Sequence, residues 1–174
     1  IEIDDAIKLV DYSKNKKINS VGVFVNENIN DLDIKIKKIK IDYIQLHGTE
    51  NNDYIKNIKN KNKIKVIKAI SINSIGDFNK TKYYNDVDAF LFDYKPILGE
   101  LPGGNAKNFN WEFLKNINID KDWFISGGIN IKNINEINKF AIPYGIDISS
   151  GVEVDRGIKS KQKIIELKKN YESK

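Results

Sequence analysis

Polar side chains follow several short apolar runs of the sequence, at the point where each run ends. They are Asn26, Gln45, His47, Asp93 and Ser126. Apolar runs of this kind are typical of parallel strands covered by helices, and the active sites of such folds lie at the carboxyl ends of the strands. A carboxylate there can act as a general acid or base, so Asp93 is a candidate catalytic residue. The alternatives are a helix cap for the aspartate and a structural role for the lone histidine.

Asp147 is different, because it lies in the middle of the apolar run Gly145–Gly151. A buried carboxylate is unfavourable by several kcal/mol unless it is paired or hydrogen-bonded. We therefore expect Asp147 either to point into a polar site or to have a strong partner.

The last two apolar runs both end in small residues, Ser126–Gly128 and Ser149–Gly151. Glycine lets backbone N–H groups approach a phosphate closely, and the loops after the last two strands of a (β/α)8 barrel commonly bind phosphate. The pattern therefore predicts a phosphate site, with two ordinary turns as the alternative. The candidate phosphate-binding residues are Gly127, Gly128, Ser149, Ser150 and Gly151.

Six apolar runs recur at regular intervals, with one longer gap before the fifth. They are Ser20–Asn26, Tyr43–Gly48, Lys65–Ile70, Ala89–Tyr94, Trp123–Gly128 and Gly145–Gly151. Their spacing is typical of repeated strand–helix units. The longer gap contains the glycine-bearing segment Leu101–Asn105. We expect this segment to close over the site, with a plain surface loop as the alternative.

The segments between the runs are predicted to be helices. Ile34–Ile41 alternates with the period of a strand, but it lies between two better strands and follows a possible cap at Asn30–Asp31, so we predict a helix there. Asn110 is a candidate cap for a further helix. The expected apolar positions of the later helices are Phe113, Leu114 and Ile117, then Ile134, Ile137 and Ala141, and finally Ile164, Leu167 and Tyr171.

The predicted fold class is α/β, with one domain over residues 1–174. The chain begins with a helical pattern that no strand precedes, which leaves two architectures open. One is an open doubly wound sheet. The other, which we favour, is a (β/α)8 barrel with about six strand–helix units here and its first two strands missing.

Composition argues against several partners. The formal net charge is +5, but the lysines are spread along the whole chain and Arg156 is the single arginine, so we do not expect nucleic-acid binding. No apolar run approaches the roughly 20 residues that span a membrane. The sequence contains no cysteine, which excludes disulfides and thiolate metal sites within it. A cytoplasmic location is expected.

Five sequence blocks occur in a fixed order along the chain. They are Gly22–Asn26, Gln45–Glu50, Phe92–Asp93 followed by Gly103–Gly104, Phe109 and Trp111, Ser126–Ile129, and Asp147–Glu153. Each block alone is weak, but together they resemble the signature of the phosphoribosylanthranilate isomerase family over the whole chain.

The resemblance implies an eight-stranded barrel and an Amadori rearrangement in tryptophan biosynthesis. The substrate would be N-(5-phosphoribosyl)anthranilate and the product 1-(2-carboxyphenylamino)-1-deoxyribulose 5-phosphate, with no metal or organic cofactor. Asp93 matches the general acid, which would protonate the ribose ring oxygen. Asp147 matches a residue that faces the anthranilate amine, while Gln45 and His47 match polar residues that line the site. The two small-residue turns match the phosphate-binding turns of the family.

Two expected residues have no match in this chain. The resemblance implies a cysteine as general base on the first strand and an arginine for the anthranilate carboxylate after the second strand. Without the base, we expect the chain by itself to have little isomerase activity. Because the first two strands are expected to be missing, the barrel cannot close, and we expect two open sheet edges and a tendency to aggregate.

Several alternatives to the isomerase remain open. The chain could be a catalytically silent remnant or a phosphate-ligand-binding module without the general base. It could also be an open flavodoxin-like sheet, or another phosphate-binding barrel such as indole-glycerol-phosphate synthase. The resemblance also implies that the same synthase is a partner, either fused to this domain or associated with it.

Overall fold

A computed structural model describes residues 1–94 and 109–172 of the chain. The segment Leu101–Asn105, predicted to close over the site, lies outside the described residues. The strands are β1 (Val21–Phe24), β2 (Tyr43–Leu46), β3 (Lys65–Ile72), β4 (Ala89–Tyr94), β5 (Asp122–Ile125), β6 (Gly145–Ile146), β7 (Glu153–Asp155) and β8 (Ile158–Lys159). The α-helices are α1 (Ile3–Asn15), α2 (Ile29–Ile39), α3 (Asn52–Lys61) and α4 (Lys161–Glu172). Short 3-10 helices occupy Ile75–Tyr83, Trp111–Asn116, Ile134–Lys139 and Ser150–Val152.

Strands β1 to β6 follow one another in the sheet in chain order, which confirms all six predicted strands and the α/β class. The chain divides into two compact units, and strands β3 and β4 contribute residues to both. Unit 1 comprises Ile1–Ala69 with Lys80–Phe90, and unit 2 comprises Ile70–Asn79 with Leu91–Lys174. None of the helices among the described residues is long and apolar enough to cross a membrane.

Unit 1 is built on parallel pairing of β1 with β2 and of β2 with β3. The prediction of a helix around Ile34–Ile41 is confirmed by α2. Its buried residues, Leu32, Ile36 and Ile39, are spaced as one helical face, while Ile34 is exposed. The cap is Asn28, whose side chain accepts from the N–H of Asn30, and not the predicted Asn30–Asp31.

Unit 2 has an aromatic core beside β4. The ring of Phe92 packs edge-on against Phe78 at 4.8 Å and at 5.5 Å from Trp123. Asn110 caps the following helix as predicted, because its side chain accepts from Glu112 N–H at 3.0 Å. That helix and the one at Ile134–Lys139 are six-residue 3-10 segments instead of α-helices, since so few residues seldom sustain an α-helix.

The end of unit 2 differs from the sequence prediction. Strand β6 ends at Ile146, so the predicted strand Gly145–Gly151 is much shorter than expected. An antiparallel hairpin of β7 and β8, which was not predicted, follows it. Two of the three predicted apolar positions of α4 are exposed: Ile164 is 45% accessible and Tyr171 is 40% accessible.

Candidate functional site

Asp93 lies near the carboxyl end of β4, where the sequence predicted it. The side chain is half-buried, and its Oδ1 accepts from the N–H of Tyr94 at 2.8 Å. Gly127 has a φ of +88° and lies against this carboxylate. A Cβ at Gly127 would lie 3.2 Å from Asp93 Oδ1 and 3.1 Å from the Tyr94 nitrogen. A glycine is therefore required both for the backbone angle and for the close approach to Asp93.

The first predicted phosphate turn is held by two asparagines. The side-chain Nδ2 atoms of Asn130 and Asn133 donate to the backbone carbonyl of Gly128 at 3.1 and 3.0 Å. The side chain of Asn133 also accepts from the N–H of Asn130 at 2.8 Å. Because the Gly128 carbonyl is bound in this way, the turn has a fixed shape in which Gly128 too has a positive φ, +62°.

The second predicted phosphate turn packs directly on the first. A Cβ at Gly151 would overlap the carbonyl oxygen of Ile129 and lie 3.1 Å from the Cα of Asn130. The two backbones thus approach as closely as only glycine allows. The structure therefore brings together Asp93, the turn at Gly127–Gly128 and the turn that ends at Gly151.

Asp147 is exposed, which corrects the expectation of a buried carboxylate. It directly follows β6, and its N–H donates to the carbonyl of Ile125 at 2.9 Å, so the backbone continues the ladder by one residue. The strand runs out before Asp147 can be buried. The desolvation argument therefore does not apply to it, and its proposed contact with the anthranilate amine stays a prediction.

Lys159 is a residue of this region that the sequence patterns did not single out. Its ammonium donates to the carbonyl of Ser149 at 2.9 Å, to the Ser149 hydroxyl at 3.0 Å and to Glu153 Oε1 at 2.6 Å. This hydrogen bond from Lys159 is the main reason that the pKa of Glu153 lies below its ordinary value. Lys159 is on β8 and reaches Ser149 only because the β7–β8 hairpin folds back, so sequence spacing gave no signal for it.

Gln45 and His47 lie together at the end of β2, in unit 1. Gln45 is buried, and its Oε1 is 2.6 Å from Nε2 of the half-buried His47. A carboxamide oxygen only accepts, so this contact is a hydrogen bond in the tautomer that carries its hydrogen on Nε2. The carboxamide thereby fixes the orientation of the ring.

A buried ion pair supports this end of unit 1, and the sequence patterns did not reveal it. Lys68 is 1% exposed, and its ammonium donates to Leu46 O at 3.0 Å, Gly48 O at 2.7 Å and Glu50 Oε2 at 3.0 Å. The carbonyls on both sides of His47 are therefore held by one cation. Burial lowers the pKa of Lys68, and the negative charge of Glu50 opposes that shift.

A cavity of about 340 Å³ lies beside the two turns of unit 2. Its lining residues are Asn130, Ile131, Lys132, Gly151, Lys163 and Glu166. Taken together, unit 2 offers a carboxyl group for proton transfer, two tight backbone turns and nearby ammonium groups. This set suits a phosphorylated substrate that needs acid catalysis.

Comparison with known proteins gives a consistent relationship for the chain. A family model described as N-(5'phosphoribosyl)anthranilate (PRA) isomerase matches residues 4–170. The N-(5'-phosphoribosyl)anthranilate isomerase of Thermoanaerobacter pseudethanolicus is 38% identical over 155 residues, which are 89% of this chain and 73% of that protein.

Solved structures agree with the sequence comparison. The crystal structure of phosphoribosyl anthranilate isomerase from Thermotoga maritima covers 100% of this chain with 82% of its own, at 27% identity and a TM-score of 0.85. A second isomerase structure, in complex with reduced 1-(o-carboxyphenylamino)-1-deoxyribulose 5-phosphate, covers 100% of this chain with 81% of its own, at 25% identity and a TM-score of 0.79. The fold is thus that of these isomerases, and the chain belongs to the N-(5'-phosphoribosyl)anthranilate isomerase family.

Proposed function

We propose that this chain catalyses the isomerisation for which its family is named, with Asp93 as general acid. The substrate is N-(5-phosphoribosyl)anthranilate, and its phosphate binds at the turns Gly127–Gly128 and Ser149–Gly151. The observation that supports this most strongly is the direct packing of Gly151 on Ile129, next to a glycine that touches Asp93. The two backbone turns can bind a phosphate group, and the carboxyl group beside them can donate a proton to the same substrate.

In the proposed reaction, Asp93 gives a proton to the ribose ring oxygen. The bond from C1 to that oxygen breaks, the nitrogen lone pair forms a C1–N double bond, and the proton remains on the new hydroxyl group. Loss of the C2 proton to a base then gives an enolamine, which rearranges to the ketose. The overall change is an isomerisation, so no oxidant, reductant or cofactor is consumed.

Asp147 and the pair of Gln45 and His47 are proposed to contact the substrate, by residue-to-residue match with the family. Asp147 would accept from the anthranilate amine. The resemblance assigns the base to a cysteine, and the sequence contains none. We therefore expect slow turnover by the 174-residue chain. A cytoplasmic location and association with indole-glycerol-phosphate synthase also remain predictions.

The test is turnover of N-(5-phosphoribosyl)anthranilate, followed by the loss of its fluorescence. Asp93→Asn keeps the size of the side chain but removes the proton donor, so we expect kcat to fall by about 10²–10⁴ with KM little changed. Asp122→Asn is the matched control. Asp122 is exposed and begins β5, whereas the proposed site lies at the carboxyl ends of the strands.

Equal rates for the Asp93→Asn variant and the parent chain would refute Asp93 as the acid. Binding of the reduced product analogue is measured in parallel. Binding with no turnover by the parent chain would instead identify a ligand-binding protein. If the parent chain neither binds the analogue nor turns over the substrate, the proposed function is rejected.

A further inference from the structure

The hydroxyl of Ser126 is buried and has no hydrogen-bond partner among residues 1–94 and 109–172. Ser126 is 5% exposed, and its Oγ makes no hydrogen bond within the described part of the chain. The backbone N–H of the same residue is satisfied, because it donates to Phe92 O at 2.8 Å. Unpaired buried hydroxyls disfavour the folded state and are rare, so this one calls for a functional explanation.

Hydrogen bonds between the strands place Ser126 between two aspartates. The bond from Ser126 N to Phe92 O puts Ser126 beside Asp93 on the neighbouring strand. On the other side, Ile125 pairs with Ile146, and the bond from Asp147 N to Ile125 O puts Asp147 beside Ser126. Neighbouring residues in register point to the same face of a sheet. Asp93 on β4 therefore forms one row with Ser126 and Asp147, the residues that directly follow β5 and β6.

The opposite face of these strands is apolar core. Phe92 and Ile125, which precede Asp93 and Ser126, are both fully buried, and Phe92 packs on the ring of Phe78. Since successive side chains alternate between faces, the row points away from this core. Gly127 follows Ser126 with no side chain, and its backbone lies against the Asp93 carboxylate. The row thus borders the proposed site directly.

We propose that Ser126 is a substrate-binding residue whose hydroxyl hydrogen-bonds the sugar portion of the substrate, between Asp93 and Asp147. The inference rests on the proposed function, in which Asp93 protonates the ring oxygen and Asp147 accepts a hydrogen bond from the amine. The sugar atoms that join these two groups then lie over Ser126. A serine hydroxyl both donates and accepts, so it can hydrogen-bond a sugar hydroxyl either as the donor or as the acceptor. The phosphate is bound elsewhere, by the turns that begin at Gly127.

The experiment compares ligand affinity with thermal stability in the Ser126→Ala variant of the full chain. The probe is reduced 1-(o-carboxyphenylamino)-1-deoxyribulose 5-phosphate, titrated by calorimetry. We expect Kd to rise about tenfold, as for one lost neutral hydrogen bond, while Kd for inorganic phosphate is unchanged. The melting temperature should rise, because the variant no longer buries an unpaired hydroxyl. A serine with a structural role would lower the melting temperature instead.

Ser13→Ala is the matched control. Ser13 lies on α1 and its hydroxyl donates to Val10 O at 2.8 Å, so the same substitution there should leave both affinities unchanged. If the parent chain binds the probe and Ser126→Ala binds it equally well, the inference about Ser126 is wrong while the proposed function stands. If the parent chain binds neither probe nor inorganic phosphate, the proposed function fails and the inference fails with it.

Discussion

A single lysine holds the residue at the start of the second phosphate turn. Lys159 binds both the carbonyl and the hydroxyl of Ser149, and Glu153 anchors the ammonium from the other side. Ser149 directly precedes the short 3-10 helix Ser150–Val152, so these contacts hold the start of that helix. The lysine therefore contributes to the shape of the turn and brings a positive charge next to it.

Replacing Lys159 with methionine should weaken phosphate binding. We expect Kd for inorganic phosphate to rise about fivefold, since an exposed ionic contact contributes up to about 1 kcal/mol. The measurement is calorimetric titration at low ionic strength, and the difference should shrink as salt is added. Lys161→Met is the matched control, because the side chain of Lys161 makes no hydrogen bond or ion pair among the described residues. Equal losses in the two variants would show that only net charge matters.

At the scale of elements, the end of β2 depends on β3 through one buried pair. Lys68 on β3 binds Glu50, whose other oxygen accepts from the N–H of Asn26 at 2.7 Å. Asn26 in turn has a positive φ of 51°, and its side chain accepts from Thr49 N–H at 2.7 Å. The ends of β1 and β2 are thus joined to the middle of β3 by polar contacts, and Gly48 leaves the space that these side chains need.

Removing one partner of the buried pair should destabilise the protein strongly. We expect Lys68→Met to lower the free energy of unfolding by about 3–5 kcal/mol, because the Glu50 carboxylate is left buried and uncompensated. The double variant with Glu50→Gln should lose less than the sum of the two single changes. Urea unfolding measures both. For comparison, Lys59 and Asp88 form a more exposed pair, so Lys59→Met should cost no more than about 1 kcal/mol.

A loss of less than about 1 kcal/mol for Lys68→Met would contradict this account. It would mean that water reaches Glu50 once the lysine is gone.

At the scale of the whole molecule, β1 has two exposed valines along a strand with one unpaired edge among the described residues. Val21 and Val23 are 46% and 60% accessible, and among the described residues β1 pairs only with β2. An apolar strand with one unpaired edge offers its backbone donors and acceptors to other chains. This feature fits the sequence-based expectation that the chain is aggregation-prone, which stays a prediction.

Replacing both valines with threonine should slow aggregation without lowering the melting temperature. Threonine keeps the β-branched shape that strands favour, and side chains this exposed contribute little to the core. Light scattering at fixed temperature, combined with a thermal melt, tests both points. Val66→Thr is the contrasting variant, because Val66 is fully buried and should lower the melting temperature. If the double variant aggregates as fast as the parent chain, the edge of β1 is not the cause.

The sequence by itself determined the features that depend on near neighbours. The six strands follow from apolar runs, and the helix at Ile29–Ile39 was predicted from its place between two strands and after a possible cap, although Ile34–Ile41 alternates like a strand. The two small-residue turns and Asp93 at the end of β4 were likewise predictable, because strand ends and glycines mark them locally. Family resemblance then gave these residues their expected roles.

Only the tertiary structure decided which distant groups meet. The packing of Gly151 on Ile129, the reach of Lys159 to Ser149 and the burial of Lys68 all join segments far apart in sequence. Such contacts depend on strand register and on where each strand ends, which local periodicity does not encode. The same reason explains the exposure of Asp147. Strand β6 ends directly before Asp147, which leaves this residue at the surface and not in the predicted interior.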